Sequence, residues 1–394
     1  MKRLCSLLLC ALLLSGCAGQ EEKTPAVSTP APPAEQSESA LPPPETPPAE
    51  LLAPETDPIS LILENMTLEQ QVGQLFFVRC PAEGAAEDVA DYHLGGYILF
   101  GRDTKDKTAS SLISTIDRYQ RSALGDTGIP LLMGVDEEGG TVVRVSSNPH
   151  LRSERFSSPQ AAFDMGGMEE VLRQTHERDL LLAGLGFNVN LAPVADVSTG
   201  PDDFIYKRSF GQDAGATADY IRLVVQEMRS DNMGSVLKHF PGYGGNEDTH
   251  TGIAVDTRPM EQFLAEDFLP FSAGMESGGG KTAVLMSHNI VQCMDPELPA
   301  SLSPAVHRVL RQDLGFTGVI MTDDLAMEAV SACAADGAVA VMAIESGNDL
   351  IITTDYRTQI PKVIQAAESG RLSADTIAAA CRRVLEWKQA LGLI

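Results

Sequence analysis

Gly318-Val319-Ile320-Met321-Thr322-Asp323-Asp324 is an apolar, β-branched run that stops on two adjacent carboxylates. Such a run reads as a strand covered on both faces, because parallel strands between layers of helices lose the polar–apolar alternation. The same pattern recurs at Phe76–Arg79, Gly96–Phe100, Leu131–Asp136, Phe187–Pro193, Gly234–His239, Thr282–His288 and Asp349–Thr353. Helical periodicity fills intervals between them, as in Asp164–Leu185, Thr217–Ser230, Pro304–Leu314 and Asp336–Gly347. Thr67, with Gln70 at the reciprocal position, opens an early helix as a capping box, and the amphipathic Ala374–Leu391 forms a closing helix. The alternation predicts one α/β domain over residues 58–394, a (β/α)8 TIM-like barrel. A doubly wound open sheet is the structural alternative.

With 394 residues, no length remains for a second full domain. The net charge of −25 argues against a nucleic-acid partner, since a polyanion needs clustered Lys and Arg that this chain lacks. Cys5, Cys10 and Cys17 fall at the extreme N-terminus. Cys80, Cys293, Cys333 and Cys381 are too dispersed for a Cys-x-x-Cys or Cys/His metal site and are expected to be buried thiols. No dinucleotide, Walker, HExxH or EF-hand motif occurs, so neither a metal nor a cofactor is expected.

Ahead of the domain, Met1-Lys2-Arg3 places positive charge before the apolar run Leu4–Leu14. That run is too short to span a bilayer and reads as a signal peptide over residues 1–16. Leu14-Ser15-Gly16-Cys17 resembles a bacterial lipobox, which implies cleavage before Cys17 and acylation of its sulfur. Residues 17–57 are rich in Pro, Ala and Glu and contain no aromatic residue, so they cannot bury enough apolar surface to order themselves. A disordered, extended linker is expected, with the domain held outside the cytoplasm at a cell membrane by its lipid anchor.

In a barrel the reacting groups cluster beyond the carboxyl ends of the strands. Asp136-Glu137-Glu138-Gly139-Gly140, Lys238-His239-Phe240-Pro241-Gly242, Ser287-His288-Asn289 and Asp323-Asp324 all fall at such ends. One charged strand end is usually a solvated cap; four in register make a site. Asp323 sits on a rigid mount suited to a nucleophile, whereas Asp324 suits a helix cap. Asp248 and His250 lie two residues apart in a glycine-rich loop, so in extended geometry their side chains share a face. The carboxylate can then fix the imidazole tautomer, and the imidazole can protonate a leaving group and later deprotonate water. The spacing alone equally allows a surface Asp and His in a loose loop.

Together these segments resemble glycoside hydrolase family 3 and, within it, the β-N-acetylglucosaminidases of the NagZ type. The matching stretches are Asp136–Gly140 with Arg144, Asn190–Asp196, Lys238–Gly242, Asp248-Thr249-His250 and Thr322–Met327, and Met66–Leu75 is similar to the family's opening helix. The resemblance implies that Asp323 is the nucleophile of a covalent glycosyl–enzyme and that His250 with Asp248 is the acid/base. It further implies that Asp136, Arg144, Arg208, Lys238 and His239 grip the hydroxyls of the non-reducing sugar. The implied activity is a retaining exo-β-N-acetylhexosaminidase that removes terminal N-acetylglucosamine from cell-wall or glycan fragments, working as a monomer. Asp248-Thr249-His250 is the specific signal, because β-glucosidases of the family lack it. A neutral imidazole repels an incoming anion less than a glutamate would, which leaves phosphorolysis open as a variant. Tyr243 stands where many relatives have His, Thr249 replaces the common Ser, and the loop before Asp248 is about one residue short. The competing readings are a family 3 β-glucosidase and a sugar-binding lipoprotein; the latter would need two hinged lobes and no strand-end nucleophile.

Overall fold

The computed structural model describes residues 57–245, 254–327, 330, 333–334 and 336–394. Its strands are β1 (Phe77–Arg79), β2 (Gly96–Leu99), β3 (Leu132–Val135), β4 (Val189–Asn190), β5 (Gly234–Phe240), β6 (Val255–Asp256), β7 (Thr282–Met286), β8 (Ile290–Val291) and β9 (Ile320–Thr322). Seven of them form one parallel sheet in the order β1-β2-β3-β4-β5-β7-β9, and β6 pairs separately with β8. The order follows the chain without reversal, so the doubly wound alternative, which requires a switch point, is excluded.

The sheet is curled. Phe76 bridges to Ile351 and Met321 bridges to Leu350, so the segment around residue 350 touches both β1 and β9. The expected strand over Asp349–Thr353 shows as these bridges, its backbone bonded to Phe77 and Leu75 on one side and to Thr322 and Ile320 on the other, and side chains add to the pairing. The Asp349 carboxylate accepts the Ile320 N–H at 2.8 Å, and the Thr322 hydroxyl accepts the Ile352 N–H at 3.0 Å. The expected strand over Phe187–Pro193 likewise contracts to the two residues of β4, since Pro193 has no N–H to offer a ladder.

Capping chemistry explains the helix boundaries. Thr67 and Gln70 form the anticipated reciprocal box. The helix expected over Asp164–Leu185 begins earlier, at Pro159 after the Ser158 cap, and is kinked at Gly166 and Gly167, which leave helical geometry. The Pro304–Leu314 pattern divides into a helix, Pro304–Arg308, and a π turn, Val309–Asp313. The Asp336–Gly347 pattern yields a helix only over Val339–Ser346, since Asp336 instead accepts the Ala338 N–H at 2.9 Å.

Side chains inside the curl form a cluster that includes Phe77, Ile98, Leu132, Val236 and Met321. The closing helix, Ala374–Ala390, adds Val384 and Trp387 to this cluster, and Leu391 follows them. Gly134 makes room for Phe77: a Cβ there would lie 2.3 Å from the ring. A larger cluster packs the outer face of the sheet against the helices. Period-two alternation then places Arg79 after Phe77, Phe100 after Ile98, Asp136 after Gly134, Lys238 after Val236 and Asp323 after Met321 on the inner face. Polar site residues therefore stand on an apolar floor.

Of the four described cysteines, Cys80 and Cys381 are the expected buried thiols, each pushed up to about 12 chiefly by burial, whereas Cys333 is only partly buried. Cys293 is exposed, because the chain after β8 runs over the surface. Among the described residues, no helix is long and apolar enough to cross a membrane.

Lys388 on the closing helix is fully buried, and its ammonium donates to Gln74 Oε1 at 2.7 Å. Burial pulls its pKa down from 10.5 to about 7. The unfolded chain binds the extra proton between these values, so stability rises as the pH climbs from about 7 towards 10.5. Replacement of Lys388 by Met is expected to remove this positive slope, as read from urea midpoints measured across that pH range.

Candidate active site

A cleft of about 550 Å³ at the carboxyl ends of the strands is lined by Asp136, Arg144, Arg208, Lys238, His239 and Asp323. These are all of the expected site residues that lie within the described chain. Asp248, His250 and the expected lipid-attachment residue Cys17 lie outside it.

Lys238 projects from β5 into the cleft wall with almost no exposure. Its ammonium lies 2.7 Å from Asp136 Oδ1 and 2.7 Å from Glu138 Oε1. Glu138 also takes two bonds from Arg208, at 2.9 Å from Nε and 2.7 Å from Nη2. Burial works against the Lys238 charge, but the Asp136 and Glu138 carboxylates outweigh it and hold its pKa above the ordinary range. Burial likewise opposes ionisation of Glu138, yet Arg208 and Lys238 keep it well below the ordinary carboxylate value. The expected sugar-gripping cations Lys238 and Arg208 thus belong to a buried charge network.

His239 is oriented from behind. Its Nδ1 lies 2.8 Å from Asp196 Oδ2, which also accepts the His239 N–H at 3.1 Å. In the neutral ring Nδ1–H donates to Asp196, and Nε2 is left as the acceptor for Arg208 Nη2 at 3.3 Å. The second Asp196 oxygen accepts the Tyr243 N–H at 2.8 Å, and the Tyr243 ring meets the imidazole edge-on at 5.2 Å. The tyrosine that departs from the family pattern therefore packs behind His239.

Arg144 owes its position to Glu137, whose buried carboxylate accepts the N–H groups of Arg144 and Val145 at 2.7 Å each and of Ser146 at 3.1 Å. The Ser146 hydroxyl also donates to Glu137. The turn before this loop needs its glycines. Gly139 has a φ of 99°, and a Cβ there would lie 2.1 Å from the Ser157 carbonyl oxygen.

Asp323 follows β9 and is half-buried, with its N–H donating to the Met286 carbonyl at 3.2 Å. Its Oδ1 accepts the Asp324 N–H at 2.8 Å. Burial alone would raise its pKa, but His288, His239, the Asp324 N–H and Lys238 together lower it. The carboxylate is thereby kept ionised, as a nucleophile requires. Asp324 binds the Ala326 N–H at 2.9 Å and the Thr354 hydroxyl at 2.6 Å, tying the end of β9 to the segment beyond residue 353.

Arg258 clamps the chain on both sides of residues 246–253. It pairs with Asp256 at 2.7 Å and Asp267 at 2.8 Å, and donates to the Gly242 carbonyl at 3.1 Å. Glu137, Glu138, Asp196, His288 and Arg258 complete the site although sequence reasoning assigned them no role. The first four lie inside or beside the quoted strand-end motifs, which is the signal that could have found them. Arg258 carried no such signal. Among the described residues, only His176, Glu227 and Asp231, none of which lines the cleft, bring three metal-ligand atoms within 4.8 Å of one another.

An ionised carboxylate facing imidazole and cationic donors above an apolar floor suits attack at a sugar carbon, the chemistry of a glycoside hydrolase. Residues 67–387 match the glycosyl hydrolase family 3 N-terminal domain. The chain belongs to glycoside hydrolase family 3. It is 33% identical over 241 residues to a beta-hexosaminidase of Xanthomonas campestris pv. campestris, covering 60% of this chain and 70% of that protein. It is 30% identical over 318 residues to beta-hexosaminidase LpqI of Mycobacterium tuberculosis, covering 78% of this chain and 79% of the relative. Among solved structures, a family 3 beta-N-acetylglucosaminidase from Paenibacillus sp. str. FPU-7 superposes with a TM-score of 0.76 at 29% identity, over 83% of this chain. The chain spans only 63% of that longer protein.

Glu138→Gln leaves Arg208 and Lys238 short of a buried counter-charge and is expected to destabilise the fold by about 3–5 kcal/mol in urea unfolding. Because the folded pKa of Glu138 lies below its ordinary 4.5, its contribution is complete above 4.5 and is lost as the pH falls through the lower folded value. The gap between wild type and variant should therefore stay level from about pH 5 to 8 and close only in acid.

Proposed function

We propose that this chain is a retaining exo-β-N-acetylhexosaminidase that releases terminal β-linked N-acetylglucosamine. The observation that carries this reading is Asp323, held ionised at the cleft beside the Lys238–Asp136–Glu138–Arg208 network. A carboxylate oxygen of Asp323 attacks the anomeric carbon while His250, paired with Asp248, delivers a proton to the departing glycosidic oxygen. That step forms a glycosyl ester and frees the alcohol. Water then attacks the anomeric carbon and gives its proton to His250, and the ester bond breaks to restore the Asp323 carboxylate. Asp136, Arg144, Arg208, Lys238 and His239 hold the sugar hydroxyls during both steps. The names of the Xanthomonas, Mycobacterium and Paenibacillus relatives support N-acetylhexosamine as the substrate.

The curled sheet reads best as a (β/α)8 barrel whose eighth strand is the bridged segment around Leu350 and Ile351. The N-terminal basic and apolar run with Leu14-Ser15-Gly16-Cys17 supports a lipid anchor on Cys17. Such an anchor would place a monomeric enzyme outside the cytoplasm, where cell-wall fragments are its natural supply.

Aryl β-N-acetylglucosaminide should be cleaved faster than aryl β-glucoside, with and without phosphate. Asp323→Ala and His250→Ala should each lose about 100-fold or more in turnover of the N-acetyl substrate. A phenol leaves readily without a proton, so His250→Ala should accumulate the glycosyl ester on the Asp323 peptide, detectable by mass spectrometry. Preference for the glucoside, or full activity in Asp323→Ala, would overturn the reading.

A further inference from the structure

Arg79, the last residue of β1, reaches the same cleft. It lies two residues beyond Phe77, whose ring is inside the curl, so alternation turns Arg79 towards the site. Its guanidinium carbon is 4.4 Å from the centre of the Phe100 ring, and that of Arg144 is 5.8 Å from the same ring. The Nε atoms of Arg79 and Arg144 are both buried without a hydrogen-bond partner among the described residues. Neither guanidinium pairs with a carboxylate among the described residues, whereas Arg208 and Lys238 are matched by Glu138 and Asp136.

This surplus charge is more than a neutral sugar requires. The hydroxyls of such a sugar are already served by acceptors and donors on Asp136, Arg144, Lys238, His239 and Arg208, which leaves the Arg79 guanidinium over. Holding two half-buried guanidinium groups without an anion is costly, and stacking on one aromatic ring offsets only part of that cost. A guanidinium fork matches a tetrahedral oxyanion with two parallel bonds, in a way that an ammonium cannot. Arg79 also belongs to the same inner layer as Asp136, Lys238 and Asp323, the layer that grips the non-reducing sugar in the function proposed above. We propose that Arg79, with Arg144 beside it, forms an oxyanion subsite for a sulfate or phosphate ester on the terminal hexosamine. The subsite rests on that proposed function. It makes Arg79 a specificity-determining residue.

The test uses the full chain with aryl β-N-acetylglucosaminide and its 3-, 4- and 6-O-sulfo and 6-O-phospho derivatives. At least one ester should be cleaved with a kcat/KM equal to or above that of the neutral glycoside. Arg79→Gln should lower the ester-to-neutral ratio by about 10- to 100-fold, the range of a lost charge-assisted bond, and mainly through KM. Arg79→Lys should recover part of the loss. The sulfate and phosphate arms identify which ester is preferred. Poor turnover of every ester relative to the neutral glycoside overturns the proposal, as does a ratio that Arg79→Gln leaves unchanged. A gain that tracks a carboxylate on the leaving sugar and survives in Arg79→Gln overturns it too. Calorimetric binding of free sulfated, phosphorylated and neutral N-acetylglucosamine to wild type separates this inference from the activity beneath it. Tighter binding of a charged sugar without cleavage of any N-acetyl glycoside would sink the hexosaminidase reading and leave the oxyanion subsite standing. Binding of every charged sugar no tighter than the neutral one would sink the subsite.

Discussion

Lys238 carries a positive charge from the middle of a parallel sheet into a wall that water barely reaches, and the site is organised around keeping that charge paired. Glu138 is the counter-ion at the centre, shared between the ammonium and the Arg208 fork. Because Glu138 lies just beyond β3 and Lys238 lies in β5, the pairing fixes two non-adjacent strand ends relative to each other. Asp136 is left with one oxygen on Lys238, and Arg208 with a contact to His239. The electrostatic demand of one buried lysine thereby sets the positions of several groups that line the cleft.

A second tier of buried acids repeats the device at smaller scale. Glu137 collects backbone N–H groups and so aims Arg144, while Asp196 holds His239 in one orientation. Neither acid faces the cleft, and each works through the residue it binds. Arg258 provides the corresponding anchor around residues 246–253 by joining Gly242, Asp256 and Asp267. Glycine is required at residue 242 because φ is 126° and a Cβ would approach Asp267 Oδ1 to 2.2 Å.

Most of the strands were legible in the sequence because sheets covered on both faces demand long apolar runs, and the Thr67 cap was legible because its chemistry is local. The segment expected as the eighth strand is present as bridges to both neighbours, with Asp349 and Thr322 side chains taking part of its hydrogen bonding, which no pattern of apolar residues reveals. Asp323, Asp136, Lys238 and His239 could be placed from motifs at strand ends and Arg144 and Arg208 from the family resemblance, and all six line the cleft. The functions of Glu137, Glu138 and Asp196 could not, since each depends on a partner brought close by tertiary folding. Arg79 was within reach: alternation from Phe77 points it inward, but an arginine at the end of an apolar strand reads first as a solvated terminus. The thiols show the opposite error, in which hydrophobic character was extended to Cys293 on an exposed turn.

The apolar floor that Val384, Trp387 and Leu391 help to fill has a kinetic consequence. A cleft closed below admits a chain end and offers no exit through the sheet. The leaving alcohol departs first, towards solvent, and the sugar bound deepest must retreat along the path by which it entered. Product release is therefore ordered, and the freed monosaccharide competes with the next chain end for one opening.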